Sequence, residues 1–236
     1  MLLLVVCVLS SSERSRAQVV EDSPLAKEVP PALTEYMGRT IAQTMHYAGA
    51  DWLIRESRQR EEDCVEMLRQ LKLKSGMTVC DMGCGNGFYA LQLAELVGED
   101  GEVVGVDIQP EMLRLLSLRA EEAGITNIRP VQGTLVDPRL EENSLDLILC
   151  VDVYHEFSHP EQMLASMRKS LRDNGLLVLV EFREEDPAVP IKPLHKMSKK
   201  QVHLEMNANG FHLSHEFDGL PWQHLMFFGK DEKHGD

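Results

Sequence analysis

The chain predicts an α/β domain whose sheet is largely parallel, and three features carry that expectation. Thr78–Ala90, T-V-C-D-M-G-C-G-N-G-F-Y-A, reads as a buried strand, a glycine turn and the opening of a helix. Glu102–Asp107 reads as a second buried strand ending in an acid, with Pro110 in the first turn of a helix reaching Ala123. Strand and helix patterns then keep alternating, as they do when βαβ units share one sheet. With 236 residues and 43% hydrophobic content, the chain suits one such domain.

The glycine turn is the most informative segment. Gly83, Gly85 and Gly87 lack a Cβ and so let the backbone approach a ligand, while the helix beyond presents unpaired N–H groups to the same place. A dinucleotide site wants G-x-G-x-x-G. Here the run is D-x-G-x-G-x-G, starting at Asp81, with its third glycine one position earlier. That form resembles motif I of the class I S-adenosylmethionine (SAM)-dependent methyltransferases. The resemblance implies SAM as cofactor, with Asp81, Gly83, Cys84, Gly85 and Gly87 forming its turn.

Asp107 lies 24 residues beyond Gly83, about where an acid meets a ribose diol in α/β nucleotide folds. Its carboxylate accepts two hydrogen bonds from adjacent hydroxyls better than a neutral side chain does. Ile108 beside it and Val151 at the end of a later strand are expected at the same site. A third strand, Ile128–Val131, leads to Thr134 and Asp137. The family often carries an acid or amide near the adenine amino group at this point, so Thr134 is a departure, and Asp137 or backbone groups are the substitutes.

Leu145–Phe157 resembles the family's fourth strand and the loop after it. Leu171–Phe182 resembles a helix end, a glycine turn at Gly175 and a fifth strand. Ser198 and Gln201 form a capping-box signature for a helix over 199–208. Gly210–Phe217 and Trp222–Gly229 read as a closing hairpin. The resemblance, over roughly 75–230, implies a three-layer Rossmann-like sheet of seven strands in the order 3-2-1-4-5-7-6, the last antiparallel. Residues 33–72 read as helices packing over the open end of the sheet, with apolar positions at Leu33, Met37, Ile41 and Met45. Trp52, Arg55 and Arg58 have two readings: a lid that holds a carboxylate, or an amphipathic helix whose arginines pair with Glu56, Glu61 and Glu62.

Methyl transfer from a sulfonium needs placement and exclusion of water more than covalent help. A base is required only if the acceptor carries a proton. Asp152, Tyr154 and His155, after the fourth strand, are the candidates: His155 as base oriented by Glu156, Tyr154 on the acceptor, Asp152 as a second base or acceptor-binding carboxylate. A structural role for His155, capping the helix that starts near Pro160, competes with that reading. The spacing of His155, Glu156, His195, His212, His215 and His224 shows no H-E-x-x-H or i, i+4 pair, so no metal site is expected. Three prolines, Pro187, Pro190 and Pro193, forbid regular helix after the fifth strand and leave a loop suited to shaping a substrate site.

The formal charge of −14 disfavours nucleic acid as partner, despite a basic cluster at Lys192, His195, Lys196, Lys199 and Lys200. A small-molecule or lipid-like acceptor is expected. Leu2–Leu9 followed by Ser15-Arg16-Ala17 reads as a possible cleaved leader over 1–17, which leans toward export, although no basic residue precedes the apolar run. It is too short to span a bilayer. Residues 18–32 read as a linker. Cys80 and Cys150 fall inside expected strands and read as small buried hydrophobes. An NAD-type oxidoreductase is disfavoured by the glycine spacing. A non-catalytic SAM-binding module and a protein methyltransferase are the surviving alternatives.

Overall fold

The computed structural model describes residues 29–231. The leader reading of 1–17 and most of the linker reading lie outside the described residues. The sheet is built from β3 (Thr78–Met82), β4 (Glu102–Asp107), β5 (Ile128–Gln132), β6 (Leu145–Val151), β7 (Leu171–Arg183), β9 (Phe211–Phe217) and β10 (Gln223–Lys230). Their order across the sheet is β5-β4-β3-β6-β7-β10-β9. That is the 3-2-1-4-5-7-6 order in core-strand numbering, and β10 runs antiparallel to both neighbours. A short extra strand, β8 (Lys196–Met197), pairs parallel with the end of β7.

Side-chain alternation along each strand divides the core into two layers. Val79, Leu147, Leu149, Val178, Val180 and Phe227 face one side, with α2 (Cys64–Gln70), α3 (Phe88–Val97) and α4 (Pro110–Ala123). Cys80, Ile148, Cys150, Leu177, Leu179 and Phe228 face the other, with α5 (Pro160–Ser170) and α6 (Lys199–Ala208). The strands β3, β4 and β6 are therefore apolar along nearly their whole length, as a sheet covered on both faces requires. Cys80 and Cys150 are wholly buried there, as their position implied. Ser198 caps α6 by accepting from the Gln201 N–H at 3.4 Å.

Two expectations change. Residues 33–46 do not form a helix: β1 (Glu35–Tyr36) and β2 (Arg39–Thr40) form a small hairpin, followed by extended chain and a 3₁₀ segment over Tyr47–Ile54. Gly38 supplies a turn conformation at φ +96°, and Met37 also takes positive φ, so the helical spacing of Leu33, Met37, Ile41 and Met45 is broken at its centre. Helix resumes only in α1 (Arg58–Glu62) and α2. At Leu171–Gly175 the chain does not turn before the strand: β7 starts at Leu171 and is irregular, pairing Leu145 with Leu171 and then Leu147 with Leu176. Gly175 sits against the Leu145 carbonyl there, where a Cβ would come within 2.8 Å.

Candidate active site

A cavity of about 470 Å³ opens at the carboxyl ends of β3, β4 and β6, a size within the ~300–1,000 Å³ typical of small-molecule sites. Gly83 and Gly85 form its floor, with Asp107, Ile108, Thr134 and Val151 around them. These are six of the residues the sequence placed at a cofactor. Gly83 has φ +69°, and a Cβ there would lie 2.4 Å from Val153 Cγ2; Gly85 has φ +52°, and a Cβ would lie 2.6 Å from Leu53 Cδ1. The turn is therefore sealed against the loop after β6 and against the segment before α1.

The Asp107 carboxylate accepts from the Gly85 N–H at 3.0 Å and from the Gln109 N–H at 2.8 Å. It thereby fixes the glycine turn, and with the Ile108 N–H also directed at it, it keeps about one of its four acceptor positions. Burial raises its pKa, and these backbone donors oppose the rise. Four expected cofactor residues do not line the cavity. Asp81 is buried beneath the turn; burial lifts its carboxyl to a pKa of about 7, and Oδ2 has no hydrogen-bond partner. Cys84 is buried against Gly105. Gly87, at φ +83°, starts α3 where a Cβ would strike Leu116 at 2.3 Å. Asp137 is exposed and accepts from the Arg139 N–H at 2.8 Å. All four support the turn or an adjacent loop from outside, because strand alternation and the turn's curvature direct them away from the opening.

The segment before α1 covers the cavity from above. Gln109 donates to the Met45 carbonyl at 2.9 Å and accepts from the Tyr47 N–H at 2.8 Å, and Asn86 donates to the Ala50 carbonyl at 2.9 Å. Trp52 and Arg58 reach the cavity wall. Trp52 is not core: it is 41% exposed, with the Arg55 guanidinium stacked on it at 3.7 Å. Both arginines are nonetheless paired, Arg55 with Glu61 and Glu62, Arg58 with Glu62 at 2.8 Å and with the Leu53 carbonyl. The pairing with Glu61 and Glu62 is as the amphipathic reading expected, while the core position of Trp52 is not.

The loop after β6 differs most from expectation. Asp152 is in the left-handed region at φ +51° and lines the cavity. One of its oxygens accepts from Gln223 Nε2 at 2.8 Å, and the other is buried without a partner. Burial, then the nearby Glu62 and Glu181 carboxylates, push its pKa well up. Tyr154 does not face the cavity. It is fully buried on the α6 side, donating to Glu205 at 2.6 Å. Glu205 also receives the Arg39 guanidinium at 2.6 and 3.1 Å, and Arg39 donates to the His155 carbonyl at 3.0 Å. That network fastens the β1–β2 hairpin to the loop.

His155 lines the cavity, but Glu181 of β7 orients it, not Glu156. Glu181 accepts from His155 Nδ1 at 2.6 Å and from the Tyr154 N–H at 3.0 Å. Burial opposes the imidazolium, and the Glu181 charge outweighs it, so the His155 pKa rises. His155 Nε2 meets His195 Nδ1 at 3.0 Å. The His195 pKa is lowered, first by burial and then by His155 and Lys192. Glu156 accepts from the Met45 N–H at 3.3 Å; burial lifts its pKa to about 7. The ligand-bearing atoms of His155, Glu156 and His195 all lie within 4.8 Å of one another, a convergence that 40 residues of separation hid in the sequence. His212, His215 and His224 stay apart from it, on Asp231, Phe227 and Glu185. Glu181 and Arg39 were missed by motif reading. The available signal for Glu181 was a carboxylate inside the apolar run of β7.

The fold is that of a Rossmann-like methyltransferase domain, with a cavity over the glycine turn. A family model described as "Methyltransferase domain" matches residues 73–227. The chain belongs to the class I SAM-dependent methyltransferase family, and SAM is the cofactor of that domain. It is 31% identical over 129 residues to the uncharacterized methyltransferase YcgJ of Bacillus subtilis (strain 168), across 54% of this chain and 50% of that protein. It is 26% identical over 171 residues to a demethylmenaquinone methyltransferase of Shouchella clausii (strain KSM-K16), across 71% of each. The chain thus spans half the length of the Bacillus subtilis relative. A solved SAM-dependent methyltransferase from Aquifex aeolicus shares its fold with a TM-score of 0.74, at 24% identity over 78% of this chain and 98% of that one.

Proposed function

We propose that the protein transfers the methyl group of SAM to a small, partly apolar acceptor that carries a protic oxygen or sulfur. The observation that carries this reading is the division of the cavity. One wall is the glycine turn with Asp107; the other combines apolar Phe157, Phe182, Pro190 and Ile191 with the Glu181–His155–His195 chain. Asp107, Asp152 and Glu156 add carboxyl groups to the lining that can accept or, when protonated, donate hydrogen bonds to a polar ligand. The relative named demethylmenaquinone methyltransferase supports a small molecule as acceptor.

In this reading Asp107 and the backbone of the turn hold the nucleoside, and Asp152 orients a polar group at the methyl-bearing end. The acceptor X–H gives its proton to the His195 imidazole, and the charge is shared through His155 toward Glu181. The lone pair on X forms the new bond to the methyl carbon while the C–S pair returns to sulfur. S-adenosylhomocysteine and the methylated acceptor leave, and the proton passes to solvent. No membrane partner is needed for this chemistry, and no helix among the described residues is long and apolar enough to cross a bilayer.

Calorimetric titration with SAM and S-adenosylhomocysteine tests the first half, and isotope-labelled methyl transfer to a panel of phenols, alcohols and thiols tests the second. Micromolar binding of both nucleosides, lost in Asp107→Ala, is expected. Failure of either nucleoside to bind the folded protein refutes the reading.

A further inference from the structure

We propose that His155, His195 and Glu156 form a site for one divalent first-row cation, of which Zn²⁺ is the type, at the acceptor end of the cavity. The sequence offers no metal motif, yet the fold assembles two imidazoles and a carboxylate from different elements. His155 and Glu156 come from the turn after β6. His195 comes from the Pro193–His195 3₁₀ turn, whose proline rim limits its movement.

The geometry is close to that of a three-ligand zinc centre. Zn–N bonds of ~2.0–2.1 Å at a tetrahedral angle place two ligand nitrogens ~3.3 Å apart. Here His155 Nε2 and His195 Nδ1 are 3.0 Å apart. Opening that gap by a few tenths of an ångström and turning the two rings so that both lone pairs meet off the N–N line admits the ion. The carboxylate oxygen of Glu156 is within 4.8 Å of both nitrogens. It accepts from the Met45 N–H at 3.3 Å, a long hydrogen bond that costs little to give up for an ion.

The surroundings are those of a metal-ligating histidine. Glu181 accepts from His155 Nδ1 at 2.6 Å, which fixes the tautomer with the Nε2 lone pair aimed at His195. A carboxylate behind an imidazole is the recurrent support of zinc-bound histidine. Glu181 is held in turn by the Tyr154 N–H, so this outer group is rigid. Two histidines and one carboxylate leave a fourth position open, and all three residues line the cavity, so that position faces the acceptor space. With the ion bound, His155 Nε2 and His195 Nδ1 serve as ligands and the ion takes the place of the His195–His155 relay: an acceptor oxygen or sulfur bound there loses its proton more readily, and the released proton goes to solvent. The site stands on its own geometry. Only this role for the ion rests on the methyl-transfer reading.

The test is equilibrium dialysis of the full chain, stripped with chelator, against Zn²⁺ alone. Elemental analysis gives the stoichiometry, and Co²⁺ substitution gives the visible ligand-field spectrum. Expected are one ion per chain, a tetrahedral Co²⁺ spectrum, and affinity 10–100-fold weaker in Glu181→Gln, which removes no ligand. His195→Ala, at a half-buried position, abolishes the bound ion while circular dichroism shows the chain folded. Binding that is absent in the wild type, or equal in wild type and His195→Ala, overturns the proposal. A parallel titration with SAM separates the two readings: nucleoside binding without Zn²⁺ binding leaves methyl transfer standing and removes the metal site.

Discussion

Replacing Asp81 by Asn tests whether the floor of the cofactor turn stores electrostatic strain. The carboxyl is buried, one oxygen has no partner, and burial raises its pKa from 3.8 to about 7. The first-turn Ala90 N–H of α3 and the Arg58 charge favour the ionised form without offsetting burial, and Asp107 opposes it. Between these two pKa values the folded chain binds more protons than the unfolded chain, so stability falls as pH rises. The loss begins near pH 4 and is complete above about pH 7; it corresponds to about 4 kcal/mol at most, and to about 2–4 once the interior relaxes around the charge. Asn keeps an acceptor for Ala90 and cannot ionise. Urea unfolding of wild type and Asp81→Asn across this range is the assay. The two should be of similar stability at about pH 4, with the variant more stable by about 2–4 kcal/mol at about pH 8. Other buried carboxyls are common to both chains and cancel in the difference. A stability difference that does not change with pH refutes the strained-carboxylate account.

Two further outcomes concern packing. Gly83→Ala should cost about 2–4 kcal/mol, because a left-handed alanine is combined with a Cβ 2.4 Å from the stiff Val153 side chain; Gly124→Ala, at φ +68° with open space around it, should cost about 1 kcal/mol. Equal denaturation midpoints for the two variants would show that close approach does not matter at Gly83. Arg39→Ala leaves the buried Glu205 carboxylate without its cation and should cost about 3–5 kcal/mol, whereas Arg39→Met with Glu205→Gln, whose amide oxygen still accepts from Tyr154, should recover much of that loss; no recovery in the double variant would place the cost in lost packing.

The glycine-turn side of the cavity was legible because its signals are local. A glycine turn between a buried strand and a helix, and an acid at the end of the next strand, depend on neighbours within a few residues, and Gly83, Gly85 and Asp107 lie where those rules put them. Sequence-adjacent residues also misled. Asp81, Cys84 and Gly87 belong to the same motif, yet alternation and curvature turn them under the floor, where they serve packing. The helical reading of 33–46 failed because a 3–4 spacing of apolar residues says nothing about the turn at Met37–Gly38.

The side of the cavity around His155 was not legible, because its parts meet only through the fold. Glu181 reaches His155 because β6 and β7 are parallel neighbours, and His195 reaches it because the proline-bearing loop folds back over their ends. Tyr154 and His155 are adjacent in sequence but point to opposite partners, Glu205 and Glu181, across one 3₁₀ turn. The sequence by itself determined the alternation of strands and helices and the glycine turn, since each follows from periodicity and local backbone freedom, and its resemblance to a known family supplied the sheet order. Tertiary structure alone decided which side chains share the far side of the cavity. Contacts between residues 26 and 40 positions apart depend on how strands are ordered and loops are tethered, which no local spacing encodes.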